Sequence, residues 1–187
     1  MKRRTFLTRA GAAIGGSRIA MTLPAILATS AAACRARDEG RPFRVLSAPD
    51  AEDLEAIAAR ILPSDDSTGA REAGVIHFID GALADYEAGA LGLVRESLAE
   101  LRRDLRSEYG AASFAALDEA RQIAVLEAIE DTSFFETVRY LTVAGMFSHP
   151  DHGGNRNRIG WELIGFDQQP APPPFGHYDA EYSEKGA

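Results

Sequence analysis

Leu91 to Tyr109 reads L-G-L-V-R-E-S-L-A-E-L-R-R-D-L-R-S-E-Y, and its apolar spacing is helical throughout. Leu91, Val94, Leu98, Leu101, Leu105 and Tyr109 recur at intervals of three and four, which places them on one helical face. Arg95, Glu96, Glu100, Arg102, Arg103 and Asp104 make the other side a mixed-charge solvated surface, and Gly110 ends the helix. The same period recurs on both flanks. Upstream, Ser47 followed by Pro49 and Asp50 predicts a helix start, with Leu54, Ile57, Ala58 and Ile61 as its apolar stripe and Pro63 as its stop. A second helix is expected from near Ala70 to about Ala88, with Val75, Ile79, Ala82, Leu83 and Tyr86 inward and Asp65 and Asp66 capping it. His77 and Asp80 share a face there and read as a histidine bonded to a neighbour, not as a metal or catalytic pair. Downstream, a fourth helix from around Asp118 uses Ile123, Leu126 and Ile129. A fifth from Thr132 or Ser133 uses Phe134, Val138, Leu141 and Gly145. No run of alternating β-branched residues appears. The expected fold class is all-α: a compact bundle of about five helices over residues 47–166, with a glycine-rich loop. Residues 34–46 read as a linker, and residues 167–187 as an extended, proline-rich tail.

A chain of 187 residues with 45% hydrophobic content can bury one sizeable core. Its formal charge of −8 is unevenly spread, because Lys2, Arg3, Arg4, Arg9 and Arg18 stand in residues 1–33 with no acid beside them. The remainder carries 15 basic residues against 28 acidic ones, net −13. An acidic domain with 8% aromatic content excludes nucleic acid as the expected partner.

Residues 1–33 read as a targeting segment. Arg3-Arg4-Thr5-Phe6-Leu7 has the R-R-x-F-L core of a twin-arginine export signal. The uncharged section Ile19–Ala33, 15 residues, is too short for a spanning helix and suits a signal core. Ala31-Ala32-Ala33 supplies a small-residue cleavage pattern before Cys34. Cys34 is the sole cysteine, which rules out an intrachain disulfide and makes lipidation at that position an alternative to plain cleavage. Gly11, Gly15 and Gly16 lack dinucleotide-loop spacing.

Beyond the fifth helix the chain turns polar and glycine-rich, reading G-M-F-S-H-P-D-H-G-G-N-R-N-R-I-G-W-E-L-I-G-F over Gly145 to Phe166. Gly153, Gly154 and Asn155 take positive φ at low cost, so a loop of specific shape is expected, often a binding loop. His149, Asp151 and His152 are candidate metal ligands, with two ligand types fixed by Pro150 and no third histidine nearby. Met146, Phe147 and Trp161 are residue types that anchor interfaces. Together with Gly153, Gly154, Asn155 and Arg156, and with Phe175 and Tyr178 of the tail, they form the candidate partner surface. No G-x-S-x-G, H-E-x-x-H, C-x-x-C-H or nucleotide fingerprint is present, so no catalytic or cofactor-binding residue is assigned.

Three segments carry a resemblance. Gly145-Met146-Phe147-Ser148, Gly153-Gly154-Asn155-Arg156 and Gly160-Trp161-x-Leu163-Ile164-Gly165-Phe166 resemble the signature of the gluconate 2-dehydrogenase subunit 3 family. Ile61-Leu62-Pro63-Ser64-Asp65-Asp66, then Gly69 to Val75 and Phe78-Ile79-Asp80, is similar to a second family segment. His149, Asp151 and His152 are not part of that signature, and no role carries over to them. The resemblance implies a non-catalytic small (gamma) subunit of a membrane-associated, FAD-dependent sugar or polyol dehydrogenase of gluconate, glucose, sorbitol or fructose type. It implies FAD in a large glucose-methanol-choline-type flavoprotein, and haem c in a cytochrome c subunit where one accompanies it. With the export signal, the expected location is the periplasm, at the inner membrane, and the twin-arginine translocase is a further partner. Two other readings stand beside it: a stand-alone periplasmic metal-dependent enzyme built on His149 and His152, and a lipoprotein anchor through Cys34.

Overall fold

The computed structural model describes residues 42–166. Arg3, Arg4, Phe6, Leu7, Cys34, Phe175 and Tyr178 lie outside the described residues, as do the signal, most of the linker and the tail. The described residues form six α-helices and no strand: α1 (Ala48–Ile61), α2 (Val75–Ala84), α3 (Leu91–Tyr109), α4 (Glu119–Ile129), α5 (Ser133–Phe147) and α6 (Ile159–Leu163). Short 3-10 turns stand at Ala88–Ala90, Pro150–His152 and Arg156–Arg158.

Each long helix is built from the stripe its sequence carries. Ser47 caps α1 by accepting from the Asp50 amide, and Leu54, Ile57 and Ala58 are buried. Val94, Leu98, Leu101 and Leu105 of α3 are buried, and Gly110 closes that helix at φ 65° with its amide on the Leu105 carbonyl. Asp118 and Thr132 cap α4 and α5 through their side-chain oxygens. α2 is buried along almost its whole length and packs against α1 and α5, so it is the centre of the bundle. Gly145 of α5 permits the closest of these approaches, since a Cβ there would stand 3.0 Å from the Phe78 ring.

Several expectations need correction. α2 starts at Val75, not Ala70, because Gly74 takes a left-handed φ of 67° that breaks the helix there. Asp65 folds back on Ser67 and does not cap α2. Instead Glu72 and Ser64 both accept from the Gly69 amide, and a Cβ on Gly69 would stand 2.5 Å from the Leu62 carbonyl oxygen. α2 also ends at Ala84, where Asp85 leaves the helical region (φ −124°, ψ −95°). Ile123 of α4 is 45% exposed, because Gln122, Val125, Leu126 and Ile129 hold the inward stripe and Ile123 lies a hundred degrees off it.

The packed domain also begins earlier than residue 47. Asp80, buried on α2, accepts from the amides of Arg44, Val45 and Leu46 at 2.8–3.0 Å. Phe43 stacks on His77, and Leu46 is buried in the core. A second buried carboxylate, Asp53, accepts from Arg102 Nε at 2.7 Å and from the Ala115 amide. Arg102 also binds Asp50, so one guanidinium ties α3 to two turns of α1.

Glu87 is buried just after α2, with its Oε1 atom making no hydrogen bond, and burial pushes its carboxyl above the usual range. Tyr86 and Tyr140 are the titratable neighbours, both raised by burial first and by this carboxylate in addition. Ionising Glu87 therefore costs more in the fold than in the unfolded chain. The fold loses stability as pH rises past the ordinary carboxyl value of 4.5, and the penalty stands in full above the folded-state value. Glu87→Gln is expected to raise the melting temperature near pH ~8 and leave it almost unchanged near pH ~4. A variant that melts lower than the parent at the higher pH would show that the ionised carboxylate stabilises the fold.

Candidate functional site

Residues 148–166 are not one open loop. Two 3-10 turns and the short α6 fold back on the end of α5. Ser148 takes extended backbone and its amide still bonds the Ala144 carbonyl. His149 then starts the Pro150–His152 turn by accepting the Asp151 amide at Nδ1, and Gly153 closes it at φ 99°.

Asn155 holds the rest together. It is fully buried, at φ 47°, and its Nδ2 donates to the Ser148 carbonyl while its Oδ1 accepts from the Gly160 amide, both at 2.8 Å. Asn tolerates this left-handed conformation better than most side chains, so the position demands both its backbone and its amide group. Asn157 and Arg158 are left-handed as well, at φ 57° and 63°. The Arg156 amide binds the Ala73 carbonyl, and its guanidinium covers Gly74 at the start of α2. Backbone packs on backbone here: a Cβ on Gly154 would come within 2.1 Å of the Gly145 oxygen, and one on Gly160 within 1.9 Å of the Met146 oxygen.

Trp161 finishes the closure. It is 7% exposed, and its Nε1 donates to the Phe147 carbonyl at 2.9 Å. His149 and Phe166 meet its ring edge-on at centroid distances of 5.4 and 5.2 Å, and Arg158 lies over it at 5.9 Å.

This geometry sets most of the candidate partner surface inside the chain's own fold. Met146, Gly153, Gly154, Asn155 and Trp161 are buried within the chain's own fold, and Phe147 and Arg156 are half-buried. Their residue types anchor this chain to itself. Apart from Ile123 of α4, the exposed large apolar side chains among the described residues are Tyr140 and Val143 on the outer face of α5, and Leu163, Ile164 and Phe166 at the end of α6 and just past it. Helical phase was the signal that could have found the first two, since they lie opposite Phe134, Val138 and Leu141.

His149 and Asp151 are 3.3 Å apart, and the two histidine rings of the turn meet at 6.2 Å. Among the described residues, no group of three His, Cys, Asp or Glu side chains is placed to hold a metal ion. A cleft of about 380 Å³ is lined by Glu130, Asp131, Thr132, Phe135, Glu136 and Arg139. Thr132 there is committed to the Ile129 carbonyl and the cap of α5, so it is not a nucleophile beside a base. Three carboxylates among the lining residues also make the cleft a poor seat for the diphosphate of a flavin dinucleotide.

Among the described residues, no helix is long and apolar enough to cross a membrane. Neither a curated protein nor a solved structure shows a significant match to the chain. Residues 48–167 match the family described as gluconate 2-dehydrogenase subunit 3, a span that starts with α1 and ends just past Phe166. The helical domain and its closing segment are thus the family's unit, and this chain belongs to the gluconate 2-dehydrogenase subunit 3 family, named for a subunit of a dehydrogenase complex.

Proposed function

We propose that the chain is the non-catalytic small subunit of a periplasmic, membrane-associated FAD-dependent dehydrogenase complex, and that it supplies the complex's twin-arginine export signal. The observation that carries this reading is the family match over residues 48–167, downstream of the Arg3-Arg4-Thr5-Phe6-Leu7 sequence. FAD belongs to a glucose-methanol-choline-type catalytic partner, and haem c, where a cytochrome subunit accompanies the complex, to that subunit. The acid-lined cleft of this chain supports that division. The substrate pocket for the sugar, acid or polyol then lies in the flavoprotein. A flavoprotein folded around its cofactor needs a route for folded cargo, and a small subunit bearing the signal can take a signal-less partner with it.

Replacing Arg3 and Arg4 by lysine keeps the charge and removes the planar guanidinium groups that bind carboxylates in bidentate fashion. The double variant is expected to stay in the cytoplasm and to keep the flavoprotein there, with periplasmic dehydrogenase activity falling at least about tenfold. Fractionation of both subunits checks this. Normal export of the variant would refute the signal, and export of the flavoprotein without it would refute the escort role.

A further inference from the structure

Glu87 is 5% exposed, its Oε1 atom makes no hydrogen bond, and no ion pair among the described residues includes it. Arg44, which reaches the end of α2, is committed to Asp85 through both terminal nitrogens at 2.6 and 3.0 Å. The other buried carboxylates are answered, Asp53 by Arg102 and the Ala115 amide and Asp80 by three amides. A buried polar atom without a partner calls for a reason outside the packing of the fold. The surroundings of Glu87 are open on one side. Residues 88 and 89 beside it are exposed and carry only a methyl group and a hydrogen, so little bars approach from outside. Tyr140 of α5 is 40% exposed and stands close enough for the carboxylate to raise its phenol, after burial itself. Val143, 42% exposed, lies three residues further along the same outer face of α5.

We propose that the Glu87 carboxylate and the Tyr140 ring receive an arginine of the flavoprotein subunit, so that the end of α2 and the outer face of α5 are part of the interface of the complex. The proposal rests on the reading of this chain as a subunit. Arginine suits the place better than lysine. Its planar guanidinium gives Oε1 the missing donor, stacks on a tyrosine ring, and leaves water more readily than an ammonium does. Tyrosine and arginine are also the types that concentrate binding energy at the water-excluded centre of an interface. Charge agrees: beyond residue 33 the chain carries 15 basic residues against 28 acidic ones, which draws an arginine-bearing partner towards it. The ionised carboxylate costs the free chain stability because it is buried without a partner. In the complex the guanidinium neutralises that cost, so loss of the charge acts with opposite sign on the free chain and on the complex.

The test uses the complex purified from native membranes through the tagged chain, and follows release of the flavoprotein from that chain once immobilised. Glu87→Gln keeps the shape and one acceptor oxygen but loses the charge. Release is expected at least about tenfold faster than from the parent, while the variant alone keeps its helicity. Tyr140→Ala should also speed release about tenfold. Glu136→Gln removes an exposed carboxylate one turn from Tyr140 and should leave release unchanged. Release from Glu87→Gln at the parent's rate would overturn the proposal and leave the subunit role standing. So would equal acceleration by Glu136→Gln, since the partner would then respond to acidity in general. A parent chain that brings no flavoprotein would refute the subunit role, and this interface with it. Should Glu87→Gln lose helicity, Tyr140→Ala decides, with unchanged release overturning the proposal.

Discussion

Gly160→Ala is expected to unfold the closing segment and to destabilise the chain by about 4–5 kcal/mol, beyond the usual range for a single methyl. The added Cβ would stand 1.9 Å from the Met146 carbonyl oxygen and 3.2 Å from Asn155 Oδ1. Neither neighbour can yield. The carbonyl belongs to the last turn of α5, and Asn155 is held at both ends by the Ser148 carbonyl and the Gly160 amide. Gly92 is the control, for it sits in α3 with nothing within 4 Å of its Cβ position. Gly92→Ala should stabilise by roughly 0.5–1 kcal/mol through helix propensity. Urea denaturation of the two variants measures the contrast. A Gly160→Ala protein as stable as its parent would mean that α6 does not pack on α5 as described.

Asp80→Ala is the other large effect, on the order of 4 kcal/mol. Three amides, those of Arg44, Val45 and Leu46, lose a charged acceptor at once, and Leu46 is buried with its amide. An unpaired buried donor costs its full desolvation, so the segment would leave the core and expose α2. Asp80→Asn keeps one acceptor oxygen and should cost about half as much. Hydrogen exchange at residues 44–46 should accelerate in the order parent, asparagine, alanine. Unchanged protection there would show that the segment is held by Phe43 and Leu46 packing alone.

These two residues also mark where sequence stops being informative. The stripes of α1, α3 and α5 could be read directly, because three-and-four spacing and the capping residues Ser47, Asp118 and Thr132 are local signals. The limits of α2 could not, since Gly74 and Asp85 end its helical backbone through conformations that spacing does not encode. In the sequence Asp80 only shares a helical face with His77, whereas its role depends on amides 34 to 36 residues away. Asn155 and Trp161 are likewise placed by contacts that spacing does not show. Their types suit an interface, yet the carbonyls of Ser148 and Phe147 turn them inward. The family signature was legible because Gly154 and Gly160 have no room for a side chain, which ties those letters to the fold.

Whether this chain works as a subunit is read from affinity purification of the tagged, exported chain from native membranes. A flavoprotein is expected to accompany it in stoichiometric amount, with the flavin absorbance and dehydrogenase activity eluting with that larger chain and neither present in the chain purified alone. Recovery of this chain by itself from those membranes, carrying its own flavin band or dehydrogenase activity, would contradict it.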